Sequence, residues 1–272
     1  MRRGLIVLGG VLGALLVGGG TALAVLGVPL VDIRPDEVRL GDDPVAEARG
    51  RELLAEMLEA HGGADALLRH RTASFDFEDT WVGLGTLFNP WPDAAQRAHV
   101  TLDVHSFDSE VLLENGPQAG VTWGITDFAT WRRSDGATET VHDADMRFML
   151  PTVHYFFEMP QRLTEAAIVR YVGPREVRGE RYEVVYATWG EPGANPDFDQ
   201  YLIYLDPDSH RLAKVHYTVR EIAPFVSGIA HLLDQREVDG FWVAHDIPVT
   251  TEVDGDPDAN LHRMVFSNVA FD

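Results

Sequence analysis

The hydrophobic positions of this chain change their period at about residue 72. Before that point, Leu53, Leu54 and Met57 recur at the spacing of one helix face, and charged residues occupy the opposite face. A Gly-Gly pair follows at 62–63, and glycine is typical of the position just beyond a helix. The pattern predicts a helix over residues 45–60.

From residue 72 onward, apolar and polar side chains alternate. Ala73, Phe75 and Phe77 are separated by polar neighbours, which is typical of half-buried antiparallel strands. Further strands, including two hairpin pairs, are predicted over 99–105, 111–113, 121–125, 129–132, 201–205, 212–219, 241–249 and 262–271. Residues 176–189 are predicted as one half of a hairpin, interrupted at Arg178 and Gly179. Strands at this spacing, with few helices, indicate one large curved antiparallel sheet or open barrel.

One stretch, residues 143–159, interrupts the strands with a broad apolar face. Asp143 is a suitable N-cap, and Pro151 lies near the middle of the stretch. Because proline disfavours a helix interior, the pattern predicts two short helices that meet at Pro151. The predicted fold class is therefore α+β, a curved antiparallel half-barrel with helices packed in its concave face.

The first residues predict export. Residues 4–31 contain no charged side chain, and Arg2 and Arg3 precede them. The run is long enough to cross a bilayer, and the arginines favour a cytoplasmic start. It is either a transmembrane anchor in the inner membrane or a signal peptide cleaved near Ala24. Both alternatives place the remainder outside the cytoplasm, with residues 32–44 as a linker and 45–272 as a single domain.

Composition excludes several classes of partner and site. The net charge is −21, which argues against binding nucleic acid or anionic lipid head groups, because both need positive patches. The chain has no cysteine, so it contains neither disulfides nor a lipidated cysteine. Nucleophile-elbow, P-loop and zinc-protease motifs are also absent. We therefore expect no cofactor and no enzymatic activity.

Five short stretches resemble the lipoprotein-carrier-like superfamily, the LolA/LolB-like proteins. They are 59–63 (Glu-Ala-His-Gly-Gly), 155–160 (Tyr-Phe-Phe-Glu-Met-Pro), 171–173 (Tyr-Val-Gly), 181–185 (Arg-Tyr-Glu-Val-Val) and 201–206 (Tyr-Leu-Ile-Tyr-Leu-Asp). The resemblance implies an incomplete β-barrel plugged by helices, with a cavity that receives acyl chains and without catalytic residues. The chain departs from the carriers in having no lipobox cysteine and in its apparent anchor.

Two apolar regions are candidates for a ligand cavity. The segment 81–91 is unusually apolar and glycine-rich for a loop, so it is either a mobile lid, an aromatic contact to lipid, or a bulged strand packed on the core. The plug helices over 143–159 either line the same cavity or belong to a filled core. The candidate ligand-binding residues from both regions are Trp81, Leu87, Phe88, Trp91, Phe148, Tyr155, Phe156 and Phe157.

A metal site is the weaker candidate. His99, Asp103 and His105 fall on one face of a predicted strand, and two histidines with a carboxylate suit zinc. Asp143 and Asp145, near His142, are possible further ligands. A solvated polar sheet face explains the same pattern. The acidic loop 254–260 lacks the glycine and glutamate that a calcium loop needs, so an ordinary hairpin loop is favoured there.

Three functions are compatible with these observations. The favoured one is a membrane-tethered module that binds a lipid or other apolar ligand in the cell envelope. The second is an envelope interaction or structural protein with a filled core. The third is a metal-dependent hydrolase centred on His99, Asp103 and His105.

Overall fold

The computed structural model describes residues 29–272, and within them a large antiparallel sheet dominates. The helices are α1 (Pro44–Ala60), α2 (Ala64–Leu68), α3 (Ala144–Phe157) and α4 (Met159–Leu163). The first strands are β1 (Thr72–Trp81), β2 (Ala95–Asp103), β3 (Ser109–Leu113), β4 (Thr122–Thr126), β5 (Ala129–Ser134), β6 (Ala137–Thr140) and β7 (Ile168–Val177). The remaining strands are β8 (Glu180–Thr188), β9 (Gln200–Leu205), β10 (Leu212–Thr218), β11 (Ser227–His231), β12 (Leu233–Val238), β13 (Phe241–Thr250) and β14 (His262–Phe271).

The sheet runs in the order β6-β5-β4-β3-β2-β1-β14-β13-β11-β10-β9-β8-β7, and β12 pairs with β13 beside this path. All pairs are antiparallel, and β1 joins the two halves of the sheet by pairing with both β2 and β14. Most neighbours are consecutive hairpins, because short turns suffice for antiparallel strands. The predicted α+β class and the curved, open antiparallel sheet are confirmed.

The sheet is apolar on both faces, but only one face carries the helices. Along β8, Val185 and Ala187 belong to the main core, while Tyr182, Val184 and Tyr186 belong to a second cluster. Because alternate strand residues point to opposite faces, the two clusters lie on opposite sides of the sheet. The main core is therefore the layer between the sheet and the helices.

Helix α1 forms as predicted. The Asp43 side chain accepts a hydrogen bond from the Ala46 amide, which caps the first turn. Gly50 lies so close to β7 that a Cβ atom there would meet Val169 Cγ1 at 2.8 Å. Glycine at this position therefore permits the close packing of α1 against β7.

Helix α3 differs from the prediction of two helices meeting at Pro151. It continues from Ala144 to Phe157, with Pro151 inside it. Pro151 has no amide to donate to the carbonyl of Arg147, and Arg147 is exposed in the first turn, where water can satisfy that carbonyl. The break comes instead at Glu158, before α4, which has Pro160 in its first turn.

Residues 176–189 are not one half of a hairpin, but the predicted interruption at Arg178 and Gly179 is its turn. They form the end of β7, a turn and β8, because Arg178 and Gly179 have φ values of 55° and 82°. Two successive residues in the left-handed region make the tight turn that suits a two-residue hairpin.

The predicted linker, residues 32–44, lies against the sheet. Val38 is buried in the second cluster, and the Ile33 amide donates to Gln200 Oε1 at 3.1 Å. The predicted anchor or signal peptide, residues 4–31, lies almost wholly outside the described residues. Within residues 29–272, no helix has the length and hydrophobicity needed to span a bilayer.

Candidate cavity between helix α3 and the sheet

A cavity of about 880 Å³ lies between α3 and the strand ends that face it. Helix α3 contributes one wall, which includes Phe148, Thr152 and Phe156. The opposite wall comes from the ends of β1, β10, β11, β13 and β14 and from the segment 219–226. Most of these side chains are apolar, as in a typical ligand cavity.

Five of the eight predicted ligand-binding residues line this cavity: Trp81, Phe88, Phe148, Tyr155 and Phe156. The other three do not. Leu87 is 53% exposed, while Trp91 and Phe157 are buried in the main core. Phe157 stacks on Phe75 with 4.6 Å between the ring centroids, so the two neighbouring phenylalanines of α3 have different surroundings.

The apolar segment 81–91 is neither a bulged strand nor an irregular loop. Strand β1 ends at Trp81, and residues Gly83–Phe88 form a 3-10 helix. Gly85 lies against the start of β14, where a Cβ atom would meet the Leu261 carbonyl oxygen at 2.3 Å. The Val82 amide donates to the same oxygen at 2.9 Å. Only glycine fits at position 85, and the short helix is fixed beside the cavity.

A fully buried carboxylate supports this end of the cavity. Asp79 Oδ2 accepts hydrogen bonds from the indole N–H groups of Trp81 and Trp91, at 2.8 and 2.9 Å. Its Oδ1 lies 2.9 Å from His262 Nδ1, and the His262 ring stacks on Trp81 with a centroid distance of 4.0 Å. Trp91, a predicted ligand contact, therefore helps to satisfy a buried charge.

Sequence reasoning missed the polar side of the cavity. Tyr201, Tyr217 and Asp199 belong to its lining together with Tyr155. Burial raises the pKa of all three tyrosines above the ordinary value, so they remain neutral hydroxyl groups. Tyr201 and Tyr217 lie two positions from the core residues Ile203 and Val215 and so share their strand faces, and that period of two is the signal that sequence analysis could have used.

A smaller cavity of about 310 Å³ shares Phe107, Tyr155, Asp199 and Tyr201 with the larger one. Arg162, on α4, also lines it, and its Nε donates to the buried Glu158 at 2.9 Å. The Arg162 guanidinium also lies over the Phe107 ring, 4.5 Å from its centroid. The charge of Arg162 is therefore already paired inside the protein.

The predicted metal triad does not form. Strand β2 ends at Asp103, and His105 lies in the following turn with φ 63°, so the three side chains do not share a strand face. His99 Nδ1 instead lies 2.8 Å from Asp76. In the predicted neighbouring group, the Asp143 carboxylate caps α3 through the Met146 amide. Across residues 29–272, no group of three or more histidine or carboxylate side chains is placed to hold a metal ion.

Comparison with known proteins gives matches among solved structures. No protein-family description matches the sequence, and no curated protein matches it either. A LolA-superfamily protein from Nitrosomonas europaea matches with a TM-score of 0.51 and 9% identity, over 82% of this chain and 93% of that one. A Vibrio parahaemolyticus domain named for outer membrane lipoprotein sorting matches with a TM-score of 0.50 and 12% identity, over 83% and 93% of the two chains.

A DUF1329-family protein from Desulfovibrio piger matches with a TM-score of 0.50 and 10% identity, over 84% of this chain and 93% of that one. Identities this low establish the fold alone. The fold is that of LolA-like proteins, as the sequence resemblance predicts.

Proposed function

We propose that this chain, which has a LolA-like fold, binds a lipid or other apolar ligand in the cell envelope. The 880 Å³ cavity between α3 and the sheet is the observation that carries the proposal. Its volume lies in the range of small-molecule sites, and a core that merely holds the fold together would fill such a space. The cavity therefore favours ligand binding over the alternative of an interaction protein with a filled core.

The driving force would be burial of apolar surface. Trp81, Phe88, Phe148 and Phe156 present aromatic rings to the cavity, and each Å² of apolar area removed from water contributes about 25 cal/mol. The similar Vibrio parahaemolyticus domain is named for lipoprotein sorting, which supports an acyl chain as the ligand. A binding module of this kind requires neither a cofactor nor catalytic residues.

A membrane tether would place the cavity close to its source of ligand. The Val31 amide donates to the Pro224 carbonyl at 2.9 Å, and Pro224 lies in the cavity-lining segment 219–226. Arg220 also donates to the carbonyls of Val31 and Pro224, at 2.6 and 2.9 Å. If residues 4–31 anchor the chain in the inner membrane, the segment 219–226 faces the bilayer. Cleavage near Ala24 would instead release a carrier into the envelope.

Native mass spectrometry of the full chain tests this function. The protein would be purified from cells that export it and held in a non-ionic amphipol. We expect a retained lipid of defined mass. An apo mass that persists after incubation with mixed lipids would contradict the proposal.

Matched variants locate the binding site. Phe156→Asp and Phe88→Asp should each weaken lipid retention by about tenfold or more, because each places a carboxylate against an apolar chain. Leu87→Asp is the control, since Leu87 is adjacent to Phe88 but lies outside the cavity lining. Equal losses in all three folded variants would show that the cavity is not the binding site.

A further inference from the structure

Asp199 lies on the boundary between the two cavities. It immediately precedes β9 and belongs to the lining of both cavities. Its Oδ1 accepts hydrogen bonds from the Thr218 hydroxyl at 2.9 Å and from the Arg220 amide at 2.8 Å. Among the described residues, Oδ2 receives no hydrogen bond and Asp199 forms no ion pair. Oδ1 therefore holds the loop in place through hydrogen bonds, and Oδ2 can accept a hydrogen bond from a ligand.

The nearby cations are already engaged by other groups. The Arg220 guanidinium is directed at the carbonyls of Val31 and Pro224, and Arg162 is paired with Glu158. Arg147 belongs to the cavity lining, but it is exposed and lies 3.5 Å from Glu221. The cavity lining therefore offers a ligand no positive charge that lacks an acidic partner.

The tyrosine hydroxyls beside Asp199 are neutral, and the cavity-lining Glu221 adds a second acidic side chain nearby. Tyr155, Tyr201 and Tyr217 lie close enough that the Asp199 charge adds to burial in raising the pKa of each hydroxyl. Burial also raises the pKa of Asp199 itself, against the hydrogen bonds from Arg220 and Thr218. An unpaired carboxylate in such surroundings favours a hydrogen-bond donor or a cation and disfavours a second anion.

We infer that the cavity selects amphiphiles whose head group donates a hydrogen bond and carries no negative charge, and that Asp199 Oδ2 is the group that selects them. This inference rests on the proposed function and specifies its ligand class. A long-chain alcohol fits, with its hydroxyl donating to Asp199 and its chain among the aromatic rings. A fatty-acid carboxylate would bring a second negative charge to the same point.

Displacement of a fluorescent apolar probe, N-phenyl-1-naphthylamine, tests the selection. The full chain in non-ionic amphipol is titrated at pH 8 with dodecanol, dodecylamine and dodecanoate, which share one chain length. We expect dodecanol and dodecylamine to displace the probe at concentrations at least about tenfold lower than dodecanoate, because one like-charge contact in a poorly solvated site has an effect of that order.

Asp199→Asn should remove most of the difference between dodecanol and dodecanoate. The amide retains an oxygen for Thr218 and Arg220 and loses the charge. Asp208→Asn is the control, since it changes the net charge equally at an exposed side chain outside both cavity linings and should preserve the difference. If Asp199→Asn fails to fold, the order in which the three ligands displace the probe from wild-type protein still tests the inference.

The outcomes separate this inference from the function on which it rests. If dodecanoate binds wild-type protein as tightly as dodecanol, the selection is wrong while the cavity function stands. The same conclusion follows if Asp208→Asn and Asp199→Asn have equal effects. If neither the probe nor any ligand binds, the proposed function itself is wrong.

Discussion

Asp79 and Asp199 are two carboxylates beside the same cavity with opposite surroundings. Asp79 is fully buried, and both of its oxygens receive nitrogen donors from Trp81, Trp91 and His262. Asp199 has donors on one oxygen alone. A charge whose hydrogen-bonding capacity is filled inside the protein stabilises the fold, whereas a charge with an open position can contact a ligand. We therefore infer that Asp79 stabilises the cavity wall and that Asp199 contacts the ligand.

The largest expected effect is the loss of folding stability when Asp79 is replaced. Asp79→Ala should lower the free energy of unfolding by about 3 kcal/mol or more, because it leaves buried indole and imidazole N–H groups without acceptors. Asp199→Asn should cost less than about 1 kcal/mol, because the amide still accepts from Thr218 and Arg220. Urea unfolding at pH 8 measures both values. Similar losses of unfolding free energy in the two variants would contradict the distinction between Asp79 and Asp199.

The two faces of α3 differ in a similar way, because one packs in the main core and the other lines the cavity. Phe157 is 2% exposed and stacks on Phe75, so Phe157→Ala should cost about 3–5 kcal/mol. Phe148 is half-buried beside the cavity, and Phe148→Ala should cost clearly less because part of its surface has no packed neighbour. Urea unfolding gives the stabilities, and probe binding should fall more in a folded Phe148→Ala protein than in a folded Phe157→Ala protein. The opposite order in both measurements would mean that the cavity wall and the core were assigned to the wrong faces.

Phe156 and its neighbour Phe157 show what sequence could and could not predict. Alternation predicts which residues face the apolar side of a strand or helix, and it identified most strands, the 201–205 and 212–219 hairpin and the capped start of α3. A residue at the edge of a void and a residue in a filled core carry the same hydrophobic signal, so sequence analysis grouped Phe156 with Phe157 and Phe88 with Leu87. The void is a property of packing between elements that are distant in sequence.

The polar residues depend even more on tertiary contacts. Asp79 lies in a regularly alternating strand, and its partners include His262 from the far end of the chain. Asp199 lies in a loop whose sequence resembles many acidic turns. The predicted metal group failed for a local reason, since the turn at His105 ends β2 and changes the direction of its side chain.

His61 adds a buried side chain that is fully satisfied only in its neutral form. Its Nδ1 lies 3.0 Å from the Trp242 carbonyl, and its Nε2 accepts from the Leu212 amide at 3.2 Å. Burial lowers its pKa from 6.5 to about 4. The unfolded chain therefore binds a proton more readily, and the stability that neutral His61 provides is present above pH 6.5 and is lost as pH falls toward 4.

The expected pH effect is the smallest of the three and is measured as a difference. His61→Gln should flatten the decline in unfolding free energy between pH 6.5 and pH 4 by up to about 3 kcal/mol. His216 and His231 also have a pKa of about 4 through burial, so some decline should remain. His142→Gln, at an exposed position, is the control. A decline equally steep in His61→Gln and wild-type protein would contradict the assignment.

The position of a bound ligand is the most direct test of the cavity as a binding site and of the role of Asp199. Crystals of the protein grown with 12-bromododecanol would reveal the bromine by anomalous scattering. We expect a bromine peak inside the cavity among Phe88, Phe148 and Phe156, with the hydroxyl within hydrogen-bond distance of Asp199 Oδ2. A cavity that stays empty while bromine binds only at exposed apolar side chains outside its lining, such as Val45, would contradict this expectation.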